Sequence, residues 1–204
     1  MLHTATIEHH TLVLLRKLQQ IPEFKQLRLV GGTALALQIG HRKSIDLDFF
    51  GLINLSGQEI VDVLNSYEIK DVMLNNESKN FHVFNIENVK VDIVNYPYEW
   101  LGDNLIIDDI IMASKSDIAA MKLEAITNRG TKKDFIDIYF LLKYFTIHQL
   151  LDLYIDKFPK GSVYNVVRSL TYFKDAEDQV SPHMIIKVSW DEIKNKIQDE
   201  IRKL

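Results

Sequence analysis

One short stretch narrows the folds open to this chain more than any other. Leu27–Val30 is an apolar run that enters Gly31-Gly32-Thr33, and Ala34-Leu35-Ala36-Leu37-Gln38 follows with residues that favour helix. The order is strand, tight glycine turn, helix. After a gap of twelve residues comes Asp46-Leu47-Asp48, within a second strand-like run over Ile45–Phe50. The polar His41-Arg42-Lys43-Ser44 bounds that run on one side and Gly51 on the other. Side chains alternate along a strand, so Asp46 and Asp48 are expected to project from one side, with Ile45, Leu47 and Phe49 anchoring the other.

Two carboxylates about 7 Å apart along a pleat make a poor salt-bridge site. They make a good divalent-cation site, because a hard cation between them relieves their repulsion. The plainer reading is a half-exposed strand with an acidic outer face. Gly31 and Gly32 let a backbone approach a ligand with no Cβ in the way. Thr33 stands at or near a helix start, where N–H groups favour a phosphate. Together these residues read as a phosphate cradle beside a metal clamp. A third acid is available in Val89-Lys90-Val91-Asp92-Ile93-Val94, where Asp92 leaves the strand on the side opposite Val91 and Ile93. If that strand pairs with 45–50, Asp92 joins the other two, since cross-strand neighbours lie about 5 Å apart. Three carboxylates would suffice for two Mg²⁺ ions of the kind that clamp an in-line phosphoryl displacement. Otherwise Asp92 is an exposed strand acid.

Elsewhere the pattern divides the chain. Ile7, Leu12, Leu14, Leu15 and Leu18 recur at helical spacing over the first twenty residues, and Pro22 ends that helix. Gln58–Asn65 reads as helix. Runs around 69–74, 81–86 and 90–94, separated by Asn75–Ser78 and Asn85–Asn88, suggest an antiparallel meander. From Ser114 the texture is helical: a capping signal opens 117–128, Arg129-Gly130 closes it, and helices follow over about 132–145, 147–158 and 190–203. The expected organisation is an α/β lobe over 1–113 and a helical lobe over 114–204.

Composition excludes several classes. The 204 residues are 47% hydrophobic and 25% charged, which rules out general disorder. Zero cysteines remove a disulfide scaffold, a thiolate nucleophile and cysteine-ligated zinc. The seven histidines show no metal-ligand spacing and are expected to be surface or core residues. No apolar run approaches the roughly 20 residues of a membrane span, and the N-terminus has no signal-peptide pattern, so a soluble cytoplasmic protein is expected. The net charge of -4 makes no global case for nucleic-acid binding. The charge is uneven, however: residues 1–113 hold 9 basic and 15 acidic side chains, residues 114–204 hold 15 and 13.

Gly31-Gly32-Thr33 followed by His41-Arg42-Lys43-Ser44-Ile45-Asp46-Leu47-Asp48-Phe49-Phe50 resembles the first motif of the AbiEii/AbiGii toxin-like nucleotidyltransferases, within the DNA polymerase β-like superfamily. Ala120-Met121-Lys122-Leu123-Glu124-Ala125 and Arg129-Gly130-Thr131-Lys132-Lys133-Asp134-Phe135-Ile136-Asp137 resemble that family's helical motif. The likeness runs from about residue 29 to 142 and leaves the tail beyond 145 without a motif. It implies an α/β fold with a nucleotidyltransferase-like mixed sheet flanked by helices, followed by a C-terminal helical lobe. It implies a nucleoside triphosphate substrate, contacts from Gly32 and Thr33 to its phosphates, and Mg²⁺ (or Mn²⁺) on Asp46 and Asp48. It also implies that Lys122 reaches the triphosphate, that the chain is the toxin of a toxin–antitoxin pair with a cognate antitoxin, and that the acceptor is RNA, in some members a tRNA end.

The residues themselves leave alternatives open. Lys122, between Met121 and Leu123, must either snorkel to solvent or meet an anion. Lys133, Asp134 and Asp137 share helical spacing, as a solvated ion-pair face or as groups that order the site; Asp137, among Phe135, Ile136, Ile138 and Tyr139, favours a buried, partnered role. Arg42 and Arg129 either add charge for phosphates or pair with nearby acids. Ser44 bonds an aspartate or forms a turn, and Arg129, Lys132 and Lys133 read as a local basic patch. Trp100, Tyr96 and Tyr98 stack a base or pack internally. Two rival functions stand: transfer to a small molecule such as an antibiotic hydroxyl, and a catalytically silent module that binds nucleotide or antitoxin.

Overall fold

A computed structural model describes residues 1–204. The chain forms two compact units. The first comprises residues 1–38, 44–97 and 104–113; the second comprises 39–43, 98–103 and 114–204. The two short segments that cluster with the C-terminal helices are tied there by polar groups. Arg42 bridges to Met184 and bonds Asp137, and the Leu101 and Gly102 N–H groups donate to Asp117.

The first unit is built on a seven-stranded mixed sheet. Its strands are β1 (Leu27–Val30), β2 (Leu47–Gly51), β3 (Val72–Ser78), β4 (Phe81–Ile86), β5 (Val89–Asn95), β6 (Leu105–Ile107) and β7 (Ile110–Met112), in the order β3-β4-β5-β2-β1-β7-β6. β3, β4 and β5 form the expected antiparallel meander. β5 then pairs parallel with β2, and β2 antiparallel with β1. Leu29, Leu47, Phe49, Phe84, Val91 and Ile93 from the central strands are buried. Helix α1 (His9–Gln20) buries Leu12, Leu14, Leu15 and Leu18, and its Gln19 amide exchanges two hydrogen bonds with the Ile111 backbone of β7. Helix α2 (Gly31–Ile39) buries Ala34 to Leu37, and α3 (Gly57–Ser66) opens on a complete Ser56/Glu59 capping box.

Three readings need correction. β2 begins at Leu47, so Ile45 lies outside the strand and is 58% exposed rather than anchored in the core. The chain ahead of β2 is held by other bonds, Ser44 N–H to the Thr6 carbonyl and the Thr33 hydroxyl to the Asp46 carbonyl, which withdraw it from the ladder. Asn75–Ser78 is not a turn but the second half of β3, whose register shifts between Leu74 and Asn76. The hairpin β6–β7 was not expected: Asp108 and Asp109 turn it with φ of 50° and 63°, the double positive φ of a type I′ connection.

The second unit is helical. It contains α4 (Lys115–Asn128), α5 (Lys132–Leu141), α6 (Ile147–Lys157), α7 (Val163–Leu170), the single turn α8 (Lys174–Glu177) and α9 (Trp190–Ile201). Ser114, Thr146, Ser162 and Ser189 accept hydrogen bonds from first-turn N–H groups of α4, α6, α7 and α9. A buried pair anchors segment 98–103: Lys157 donates to Asp117 (2.7 Å) and to the Glu99 carbonyl, with its ammonium 4.7 Å from the Trp100 ring centre. No helix is long and apolar enough to cross a membrane.

Candidate active site

The acidic residues of the sheet unit owe their placement to strand register. Antiparallel pairing sets Val30 opposite Asp48, so the chain leaves β1 into the glycine turn beside that carboxylate. Gly31 has φ of +68°, and a Cβ there would overlap Asp48 Oδ2. Both facts favour glycine, since an L side chain in this region is strained and would here push on the Asp48 carboxylate. Parallel pairing sets Asp48 opposite Asp92 on β5. Asp92 is 8% exposed; its Oδ2 accepts from Lys90 Nζ at 2.6 Å, while its Oδ1 is buried without a hydrogen-bond partner. Burial works against the charge on Lys90. The Asp92 hydrogen bond and the nearby charges of Asp92, Asp48 and Asp46 outweigh it and hold the ammonium above its ordinary value.

Asp46 stands one residue ahead of β2, so strand alternation does not extend to it. No three His, Cys, Asp or Glu side chains converge closely enough to hold a metal ion as they stand. The donor chemistry nevertheless fits a hard cation: carboxylate oxygens on adjacent strands, one of them buried with nothing bonded to it, beside a backbone stripped of Cβ. Thr33 is buried; its hydroxyl donates to the Asp46 carbonyl and lies 2.9 Å from the Ser44 hydroxyl, so it joins the start of α2 to the segment entering β2. Gly32 is partly exposed at the first turn of α2. Tyr96 packs on Phe50 with ring centres 5.1 Å apart.

A second constellation lies within the helical unit. Asp134 and Asp137, one turn apart on α5, are both fully buried. Lys122 of α4 lies 2.9 Å from Asp134 Oδ1 and 2.6 Å from Asp137 Oδ2. Arg42 grips Asp137 with both fork nitrogens, at 2.7 and 2.9 Å, and His41 Nε2 donates to the same carboxylate at 2.8 Å. Arg129 donates twice to Asp134, at 3.0 and 3.1 Å, and the Thr131 hydroxyl once, at 2.6 Å. Burial pushes the Asp137 and Asp134 carboxyls up, but the ammonium of Lys122 and the guanidinium beside each hold them well below the usual carboxylate range. Burial also lowers His41 from 6.5, although Asp137 opposes it. Lys122 does not snorkel; the anions it meets here are these two carboxylates.

The expected basic patch does not form. Lys133 is exposed, whereas Lys132 is buried and donates to the Glu177 and Gln179 carbonyls over the Trp190 ring. The physical reason is helical phase: adjacent positions on α5 differ by about 100°, so one lysine points inward and the next outward. Lys133 is exposed while Asp134 and Asp137 are fully buried and bonded to other cations, so the three form no solvated ion-pair face. Tyr98 packs against Phe158. His41 is a core histidine, as the absence of metal-ligand spacing implied, and its bond to Asp137 has no signal in the sequence beyond its place beside Arg42 in the motif. Lys90 is a participant that strand alternation places on the side of Asp92, while nothing in the sequence shows that the two pair.

Comparison with known proteins identifies the fold and the family. The fold is shared with the crystal structure of JHP933 from Helicobacter pylori, at a TM-score of 0.64 and 16% identity over 97% of this chain and 92% of that one. It is also shared with MenT4, a nucleotidyltransferase toxin from Mycobacterium tuberculosis H37Rv, at a TM-score of 0.62 and 14% identity over 95% and 83%. The class is thus the nucleotidyltransferase fold, as the sequence motifs implied. An uncharacterised protein of Aquifex aeolicus (strain VF5) is 31% identical over 178 residues, 85% of each chain. The model of the family described as "Nucleotidyl transferase AbiEii toxin, Type IV TA system" matches residues 13–203, and this chain belongs to that family. The match takes in the tail beyond residue 145, where no motif was legible.

Proposed function

We propose that this chain transfers a nucleoside monophosphate from a nucleoside triphosphate to an acceptor oxygen, releasing pyrophosphate, as the toxin of a toxin–antitoxin pair. The observation that carries the chemistry is the register pairing of Asp48 with Asp92 next to the glycine turn, with a buried carboxylate oxygen left unbonded. Family membership supports the triphosphate and the antitoxin partner. Asp46, Asp48 and Asp92 would hold Mg²⁺ (or Mn²⁺), which when bound supplies positive charge to the reacting oxygens. The chain's own share is positioning. Gly31 and Gly32 open the turn to the phosphates, the Thr33 hydroxyl holds the segment carrying Asp46, and pairing with both β1 and β5 fixes Asp48. Ser44 is assigned to the same bracing through Thr33, and Arg42, Asp137, Arg129 and Lys122 to the frame of the helical unit; exposed Lys133 is left for a solvent-borne anion.

RNA, with a tRNA end as the specific case, is the acceptor we assign. Incubating the protein with Mg²⁺, each labelled nucleoside triphosphate and total cellular RNA tests this. Label entering RNA and vanishing in Asp48→Ala is expected; label in small molecules alone, or nucleotide bound with no pyrophosphate released, would overturn it. Lys122 would reach a triphosphate only by leaving Asp134 and Asp137. Loss of label in Lys122→Ala with the fold retained would support that phosphate role, and wild-type labelling would end it.

A further inference from the structure

Resting on that reading of the acid cluster, we infer that Lys90 is a tethered cation which an incoming divalent ion must displace from Asp92. Lys90 and Asp92 are two residues apart on β5, and so on one face of the strand. The ammonium sits on Oδ2 at 2.6 Å while Oδ1 stays unbonded, so the carboxylate is half engaged. Asp48 is the register partner of Asp92, which sets a second carboxylate beside the pair. The side chains differ in how they are held: that of Asp92 is 12% exposed and that of Lys90 49%. The carboxylate is therefore fixed by the sheet, whereas the lysine leaves for water with little change in burial. Lys122 and Lys157, which also pair with buried acids, are themselves enclosed and have no such exit. A half-exposed ion pair is weak. It neutralises the acids in the empty protein yet yields to a divalent ion, which brings twice the charge to the same oxygens. The consequence is a site that resists stray metal and fills when the lysine is drawn away, as a metal-bound triphosphate would do by offering the ammonium an anion.

The test is Mn²⁺ titration of the full chain without nucleotide, followed by the electron paramagnetic resonance signal of free Mn²⁺. Lys90→Met should bind Mn²⁺ about tenfold more tightly than wild type, the scale expected for removing one neighbouring positive charge. Lys90→Arg should stay close to wild type, and Asp92→Asn should lose the site. A purely structural Lys90 would lower the thermal midpoint of Lys90→Met and leave its Mn²⁺ affinity unchanged, which would overturn the inference. If Asp92→Asn loses Mn²⁺ while Lys90→Met matches wild type, this inference alone fails. If Asp92→Asn binds like wild type, or none of the four chains binds, the metal reading fails with it. Should Lys90→Met not fold, amine acylation of wild type read by mass spectrometry decides: Lys90 labelling should rise on saturation with Mn²⁺, and unchanged labelling would overturn the displacement.

Discussion

Carboxylates gather in two places in this chain and are neutralised in opposite ways. In the helical unit, Asp137 is held by Lys122, Arg42 and His41, and Asp134 by Lys122, Arg129 and Thr131. In the sheet unit, Asp92 receives one half-exposed lysine and keeps an oxygen that nothing bonds. The difference separates two uses of the same side chain. A buried acid whose lone pairs are filled by cations of its own unit is part of the frame, because removing any partner strands a charge in a poor solvent. A buried acid left half filled beside another acid is, on the function proposed, where a cation from outside would bind. Conversely, the basic residues that sequence motifs made candidates for phosphate binding, Arg42 and Lys122, are satisfied internally, and the structure gives them work without a ligand.

The largest expected effect attacks the frame. Asp137→Ala leaves Lys122 and Arg42 facing each other in the interior and should cost about 3–5 kcal/mol in urea denaturation; a loss below about 1 kcal/mol would remove the contrast with the sheet acids. Asp48→Ala should do the reverse. Nucleotidyl transfer should fall at least about a hundredfold, on the scale of losing one electrostatic contact to the reacting group. The thermal midpoint should change far less than in Asp137→Ala, since no pair of cations is stranded in the interior; a fall comparable to that of Asp137→Ala would put both acids in the same role. Gly31→Ala should cost about 1–2 kcal/mol for the left-handed backbone, with a further loss of Mn²⁺ binding as the added methyl pushes on Asp48, both readable in one calorimetric series.

The smallest effect is the pH dependence, and it sharpens the comparison from the side of the frame. His41 titrates below 6.5 in the folded protein, so the unfolded chain takes up its proton first. Its contribution to stability is complete above about pH 6.5 and declines as the pH falls toward the folded value. Asp134 and Asp137 lie well below 3.8 when folded, so theirs is complete above about pH 4 and lost on further acidification. Denaturation midpoints measured from pH 7 to 3 should show both declines, and His41→Gln should flatten only the upper one. A profile that falls instead as the pH rises would contradict the assignment of His41.

What was legible follows from how local each signal is. Leu27–Val30, the glycine turn and the helix after it were readable, since apolar runs and chain-breaking glycines act within a few residues. The β6–β7 hairpin was missed because its strands have three residues each and too little length to show a period. Asp46 was placed on a strand because alternation in sequence continues past the point where the ladder stops. The tail beyond 145 read only as helix, because amphipathic spacing does not say which partner each face will find.

By itself the sequence determined the elements that local chemistry dictates: a glycine turn between strand and helix, an Asp-x-Asp twelve residues beyond it, Asp134 and Asp137 one helical turn apart, and a family motif in the expected order. Tertiary structure decided which charges meet. Whether a carboxylate receives cations from its own unit or stands open to one from solution depends on strand register and on helix packing, and these join residues 44 positions apart in Asp48 and Asp92 and 95 apart in Arg42 and Asp137. Electrostatic energy depends on distance in space and on burial. Neither is written in the spacing of residues along the chain.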